Sequence, residues 1–475
     1  VTVPFGGVKF VASQVAAATG GHLVGPDVAL DGASFDSRSL RRGQLFVPIV
    51  AERDGHEFID GAIAAGAPAY LTSRPGRATA IGAPDASQPG RGATAIEVPD
   101  ASQPGRGATA IEVPDTLHAL LDLGRWGRRR LPDRVVGITG SVGKTSTKDL
   151  VAAALRGALR VAANERSFNN DQGLPVTILE APDDTQLLVL EMGMRGFGEI
   201  TRLCDVGMPT IGVVTAVGES HTERVGGIEG VAIAKRELVE ALPPSGTAIL
   251  NGDDPRVLAM GAHTAASVIS YGSGERVDVR ITSLELDEVA RPTFDVSTPW
   301  GPARVRLAVS GEHMARNALA ALAVAGVVGV PLDVAAAALG DAQLSAMRMD
   351  VRRAPSGMLV VNDAYNANPT SMRAALDSLA AMRADRRVAI VGMMAELDDP
   401  AAAHPAIAAY ARARNIELIP VGTELYGVAP VDDPRAALGD TGSGTVVLVK
   451  ASRVGGLERL ARQLLDEEVA REQTT

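Results

Sequence analysis

The chain has 475 residues, enough for two to four domains with cores of their own, and its 46% hydrophobic and 21% charged content is that of a globular protein. A formal net charge of −10 argues against a nucleic-acid partner, because no excess of basic side chains is present to displace counterions. A single cysteine, Cys204, excludes an internal disulfide and fits a buried thiol in a reducing compartment.

The N-terminal residues VTVPFGGVKFVASQVAAATG lack the charged, apolar and small-residue order of a secretory signal. The most apolar stretch, Ala318 to Leu332, is shorter than the about 20 residues a membrane helix requires. A cytoplasmic monomer is expected, with neither membrane nor nucleic acid as partner.

Residues 1 to about 75 alternate short strand and helix patterns and predict a small α/β domain. Phe58, Ile59, Ala62 and Ile63 share one helix face, leading through Gly66 into a strand. Asp36-Ser37-Arg38 and Asp54-Gly55-His56 fall on loops, where ligand binding and ordinary capping both account for such residues. Residues 84–98 and 99–113 are the same 15 residues, PDASQPGRGATAIEV, twice over. So short a period with Pro, Gly and Ser predicts a duplicated surface loop, running as an extended excursion before the helix TLHALLDLGRWGRRR.

The stretch Gly137 to Thr147, GITGSVGKTST, organises the chain. An apolar run (Val135, Val136, Ile138) precedes it as a buried strand; Leu150, Val151, Ala154, Leu155, Ala158 and Leu159 follow at helical spacing. Gly140 and Gly143 let backbone N–H groups converge on anionic oxygens, and the helix N-terminus adds positive partial charge. Lys144 can reach terminal phosphates and Thr145 can take a place on Mg²⁺, with Ser141 and Ser146 in the same turn. The stretch departs from GxxxxGK[ST] in that Ile138 stands where the first glycine belongs. It predicts an ATP site.

From about Asp133 to Leu344 strand and helix patterns alternate, which predicts a mostly parallel sheet. Ligands of such sheets sit beyond the carboxyl ends of the strands. There the sequence places the phosphate turn, Glu191, the run Gly218-Glu219-Ser220-His221, and Asn251. A carboxylate such as Glu191 at that position suits the hard-oxygen preference of Mg²⁺. Lys235 lies in the middle of an amphipathic helix, GIEGVAIAKRELVEAL, where a solvated lysine is the default reading. Asn317, four residues after His313 on another helix, has an amide able to read an adenine edge. The pattern restarts near Arg348; the strand of GMLVVNDAYNANP ends at Asp363, and RRVAIVGMM, IELIPVG and GTVVLVKASR follow as further strands of a Rossmann-like domain lacking GxGxxG.

DSRSLRRGQLFVPI, DGHEF, TGSVGKTSTKD, SFNNDQGLP, EMGMRGFGEI, IAKRE, LNGDDP, GEHMARNALAA, NDAYNANPTSM and LVKASR together resemble the Mur ligase family over nearly the whole chain. DAYNANPTSM is the most specific of them; it resembles the branch that adds D-alanyl-D-alanine to UDP-N-acetylmuramoyl-tripeptide. The resemblance implies an α/β fold of three domains: residues 1–130 for the UDP-sugar, a central P-loop ATPase over 131–345, and a Rossmann-like domain over 346–475 for the dipeptide. It implies ATP and two Mg²⁺ ions, with Thr145, Glu191, His221 and a carbamylated Lys235 as metal ligands. Lys144, Lys235 and His221 are its catalytic residues, and Asn251, Asn317, Arg348 and Asp363 its nucleotide contacts. Ser37, Arg38, Asp54, His56, Asn169, Asn170, Tyr365, Asn366 and Asn368 are its substrate contacts. It also implies an open form that closes over ATP and substrates.

Overall fold

A computed structural model describes residues 9–74, 108–164, 168–219 and 222–465. It divides into two compact units, Val1–Val135 with Ala162–Leu190 and Arg202–Met208, and Val136–Val161 with Glu191–Thr201 and Pro209–Thr475. Among the described residues no helix is long and apolar enough to cross a membrane.

In the first unit, β1 (Lys9–Val11), β2 (His22–Val24), β3 (Ala29–Asp31), β4 (Ala33–Ser34), β5 (Leu45–Phe46), β6 (Ala69–Thr72) and β7 (Thr109–Glu112) are followed by the helix Thr116–Arg128. Five of the strands form a sheet in the order β2-β7-β6-β5-β4, and β1 pairs with β3. The helix Gly173–Glu180 packs on Thr116–Arg128. Gly124 and Gly127 permit that approach, since an added Cβ would meet Pro175 Cβ at 2.8 Å and Leu179 Cδ2 at 2.9 Å. Glu180 at its end accepts from the Ala33 N–H (2.9 Å) and the Gln44 amide (2.8 Å) and pairs with Arg41. Burial raises the Glu180 carboxyl, against the pull of Arg41.

The repeat corrects one expectation. Most of it lies outside the described residues, but its last residues form β7, hydrogen-bonded between β2 and β6 with Thr109, Ala110 and Ile111 fully buried. The Pro-Gly-Ser front of the 15-residue unit masked the short β-prone TAIE at its end.

The second unit opens with β8 (Val135–Thr139), whose residues after Val135 belong to it. Two strands follow in the chain, β9 (Val161–Ala163) and β10 (Leu187–Glu191). The Met192 N–H donates to Ile138 O at 2.8 Å, which sets Glu191 at the carboxyl end of β8. Then come β11 (Ile211–Val214), β12 (Thr247–Asn251), β13 (Ser267–Gly272), β14 (Val279–Leu286), β15 (Pro292–Ser297) and β16 (Ala303–Arg306). Their order is β16-β15-β14-β13-β12-β11-β8, parallel from β8 to β14 and antiparallel from β14 to β16. The antiparallel extension was not foreseen: β14 buries few residues, so its apolar period is weak. The helix Glu312–Val327 is buried on every side from Ala318 to Ala325, and its alanines let it lie close against the helix Lys144–Arg156.

The last sheet comprises β17 (Asp350–Arg353), β18 (Leu359–Asn362), β19 (Arg386–Val391), β20 (Glu417–Pro420) and β21 (Thr445–Lys450), in the order β17-β18-β21-β19-β20. Only β17 is antiparallel. The α/β reading holds, with a mostly parallel central sheet, and Cys204 is buried as expected.

Deleting residues 84–98 or 99–113 yields the same chain, because the copies are identical, and one TAIEV remains to form β7. Stability is expected to change by less than about 1 kcal/mol, since loop length enters only logarithmically. Ile111→Asp, which buries a charge in β7, is expected to unfold the domain far more readily. Denaturant unfolding of both variants checks this; a large loss on deletion alone would show that the duplicated copy itself packs on the core.

Candidate active site

The phosphate turn lies at the carboxyl end of β8, gripped from β11. The Ser141 N–H donates to Ala216 O at 2.8 Å, Ser141 Oγ donates to Gly218 O at 2.9 Å, and Thr215 Oγ1 donates to Val142 O at 2.5 Å. A side chain at Gly140 (φ 151°) would collide with Thr215 Oγ1, and one at Gly143 (φ 83°) would meet Asn317 Oδ1 at 2.9 Å. Gly143 then caps the helix Lys144–Arg156 without any side-chain bond, so its first N–H groups face the turn uncapped. Thr145 and Ser146 are buried in its first turn. Lys144 Nζ donates to Gly140 O at 2.6 Å. Burial pushes the Lys144 ammonium down; Glu191 and Glu396 oppose the shift and Arg348 adds to it.

Lys235 corrects the solvated-lysine reading. It is 2% exposed on the helix Ile228–Glu240, beside buried Val231, Leu238 and Val239. Burial, reinforced by the charge of Lys144, lowers it well below the ordinary lysine range. Glu191, 1% exposed, ends β10. His221 lies outside the described residues.

Asn251 holds the strand ends: its amide donates to Thr215 O at 2.7 Å and its Oδ1 accepts from the Asp253 N–H. Asn317 sits against Gly143, at the turn itself. From the segment just before β17, Arg348 Nη2 donates to Thr145 Oγ1 at 3.0 Å, while its guanidinium stacks on the Tyr365 ring at 4.0 Å from the centroid. Arg348 Nε is buried and makes no hydrogen bond. Arg348 thus joins the segment that enters the last sheet to the helix that follows the phosphate turn. Asp363 anchors this reach: Oδ1 accepts from the Met349 N–H at 3.1 Å and Oδ2 pairs with buried Lys450 Nζ at 2.6 Å. Asn366 lends its backbone carbonyl to the same Lys450, and Asn368 caps the helix Pro369–Ala381 through the Ser371 N–H.

Other predicted contacts serve local structure. His56 is fully buried, with Nδ1 on Asp54 (2.6 Å) and Nε2 accepting from the Ser73 N–H (3.1 Å), so it shapes its loop and has no ring nitrogen to offer a substrate. Arg38 pairs with Asp36 beside half-buried Ser37. Asn170 caps the helix Gly173–Glu180, next to half-buried Asn169. Thr215 belongs to no motif, yet it stands just past the end of β11, where the same rule that found Glu191 applies.

A phosphate turn at the carboxyl end of a parallel sheet, with an arginine at the first turn of the helix that follows it, is the arrangement of a nucleotide-dependent enzyme of the P-loop class. Residues 138–325 match the Mur ligase middle domain and residues 347–464 the Mur ligase glutamate ligase domain. The UDP-N-acetylmuramoyl-tripeptide–D-alanyl-D-alanine ligase of Mycobacterium tuberculosis is 37% identical over 97% of this chain and 98% of its own length. The crystal structure of MurF from Acinetobacter baumannii superposes with a TM-score of 0.82 at 28% identity, covering 98% of this chain and all of that one. MurF ligase from Thermotoga maritima, solved in complex with ADP, gives 0.75 at 25% identity, over 92% of this chain and 97% of that one. The chain belongs to the Mur ligase family of ATP-dependent ligases.

Lys450→Met is expected to cost about 3–5 kcal/mol of unfolding free energy, because it leaves the Asp363 carboxylate buried without its cation. Urea titration measures it; a loss under about 1 kcal/mol would show that water reaches the pair.

Proposed function

We propose that this chain joins D-alanyl-D-alanine to UDP-N-acetylmuramoyl-tripeptide in the cytoplasm, through an acyl phosphate made with ATP. The observation that carries the reading is the bond to Thr145, beside the phosphate turn, from Arg348, whose guanidinium stacks on Tyr365 of DAYNANPTSM.

A carboxylate is a poor electrophile, and phosphorylation turns its oxygen into a leaving group. The uncapped N–H groups after Gly143 receive phosphate oxygens. Lys144, whose ammonium now rests on Gly140 O, turns to the transferring phosphoryl group and spreads its charge. The guanidinium of Arg348, with its Nε buried and unbonded, has capacity for the same oxygens. Thr145 and Glu191 offer the hard oxygen donors that suit Mg²⁺, which when bound neutralises phosphate charge. Asn251 and Asn317 line the nucleotide side and Asp363 holds Arg348 in place. Water must be kept from the acyl phosphate, and Arg348, bonded to Thr145, stands at the turn where that exclusion is needed.

Lys235 completes the site as a carbamate. A cationic lysine repels a metal, whereas its carbamate presents two anionic oxygens, and His221 is the further donor this reading assigns to a second Mg²⁺. Carbamate formation needs a neutral amine, and burial beside Lys144 supplies one.

With substrate carboxylate labelled with ¹⁸O, one label atom is expected in each phosphate released, and Lys144→Ala is expected to abolish both transfer and ligation. Label transfer persisting in that variant would refute the role given to Lys144; ligation with no label in phosphate would refute the acyl phosphate. Lys235→Ala is expected to lose activity and regain part of it with added short carboxylic acids, while ¹³C-bicarbonate should give the wild type, not the variant, a carbamate carbon resonance. Near-normal activity of the alanine variant, without that difference, would refute the carbamate.

A further inference from the structure

The central sheet ends at β16, and that edge carries no partner strand. β16 pairs only with β15, setting Asp295 opposite Arg304 and Thr293 opposite Arg306. The Leu307 N–H donates to Pro292 O at 2.9 Å, which fixes the phase of the ladder. Bonded and non-bonded pairs alternate along antiparallel strands, so Val305 bonds to β15 while Arg304 and Arg306 turn their N–H and C=O groups outward. Those groups open on a groove of about 710 Å³, bounded by both arginines and by one face of the helix Leu332–Gly340, with Asp333, Ala336, Ala337 and Gly340. Small residues keep it open: a Cβ added at Gly340 would stand 3.4 Å from Arg306 O. The two arginines are exposed on one face of the strand, and Val305 between them is fully buried on the other. Arg304 Nη1 reaches the Asp295 carboxylate at 3.1 Å, whereas Arg306 makes no ion pair among the described residues.

We infer that this edge is a docking site for an extended acidic segment of another protein, which adds to the central sheet as an antiparallel strand. Bare strand edges recruit strands, and main-chain hydrogen bonds supply the affinity in that mode. Charge selects the occupant. The described lining carries two arginines against one acid, Asp333, so its sign is positive. A second copy of the chain is disfavoured, because two β16 strands paired about Val305 would set Arg304 against Arg306. An acid opposite Arg306 gives that guanidinium the carboxylate it lacks, and one opposite Arg304 extends the line that Asp295 begins. The residue between those acids points to the other face, the side on which Val305 is buried, and a valine suits it. Exposed Trp300, in the turn leading into β16, offers an apolar anchor at that end. β16 stands six strands from β8 in the sheet, about 29 Å at the usual spacing, so an occupant leaves the phosphate turn free.

The test is calorimetric titration of the full chain with capped hexapeptides: one of alternating glutamate and valine, one of alternating lysine and valine, and two backbone N-methylated forms of the first. In an antiparallel pair, the residues opposite Arg304 and Arg306 exchange both N–H···O bonds with them. Methylating the glutamate nitrogens is therefore expected to abolish binding, and methylating the valine nitrogens to leave Kd within about a factor of three. The lysine peptide is expected not to bind. Arg306→Glu is expected to weaken the glutamate peptide by about tenfold or more while keeping the wild-type denaturant midpoint, since the side chain is exposed. No saturable binding of the glutamate peptide up to about 1 mM would overturn the docking site. So would equal binding of the lysine peptide, of the glutamate-methylated peptide, or by the Arg306→Glu variant. A dimer of the chain that Arg306→Glu dissociates, seen by sedimentation with no peptide bound, would give the edge to a second copy and overturn the acidic partner.

Discussion

The hydroxyl of Thr215 occupies the space that a side chain on Gly140 would need, and the site depends on that contact. It clamps the turn through Val142 O, while Ser141 ties the same turn to Ala216 and Gly218. Asn251 in turn holds Thr215 O, so three neighbouring strands, β8, β11 and β12, fix the path of a few residues. A turn held so firmly presents its N–H groups without reorganisation, which is where electrostatic catalysis gains its advantage.

The second requirement is that a charge from the segment entering the last sheet reach this turn. A buried ion pair, Asp363 with Lys450, fixes the backbone at Met349, and the residue before it is Arg348. Tyr365 supports the guanidinium from its face. Two lysines are held down by burial in the same neighbourhood, Lys144 and Lys235, and the carboxylates Glu191 and Glu396 temper only the first.

The phosphate turn, its strand and its helix were legible because local sequence dictates them: glycines where the backbone bends, apolar spacing on either side. The long helices Ile228–Glu240 and Glu312–Val327 were legible for the same reason. The burial of Lys235 was not, since helical periodicity near it is satisfied by its apolar neighbours and the covering elements come from far along the chain. The role of His56 was hidden for a similar reason: its partner Ser73, just past β6, is 17 residues away, and only the fold shows both ring nitrogens engaged. β7 was hidden inside a repeat whose composition suggests a loop, although the strand that completes the sheet is only its last few residues.

The most direct measurement is the stoichiometry of the purified chain with ATP, Mg²⁺, UDP-N-acetylmuramoyl-tripeptide and D-alanyl-D-alanine, following phosphate and the UDP-linked product together. One phosphate and one ADP are expected for each pentapeptide product, with turnover requiring both substrates and falling sharply when L-alanyl-L-alanine or single amino acids replace the dipeptide. Phosphate release that ignores the identity of the acceptor, or a different amine joined more efficiently, would contradict the assignment of this site to dipeptide ligation.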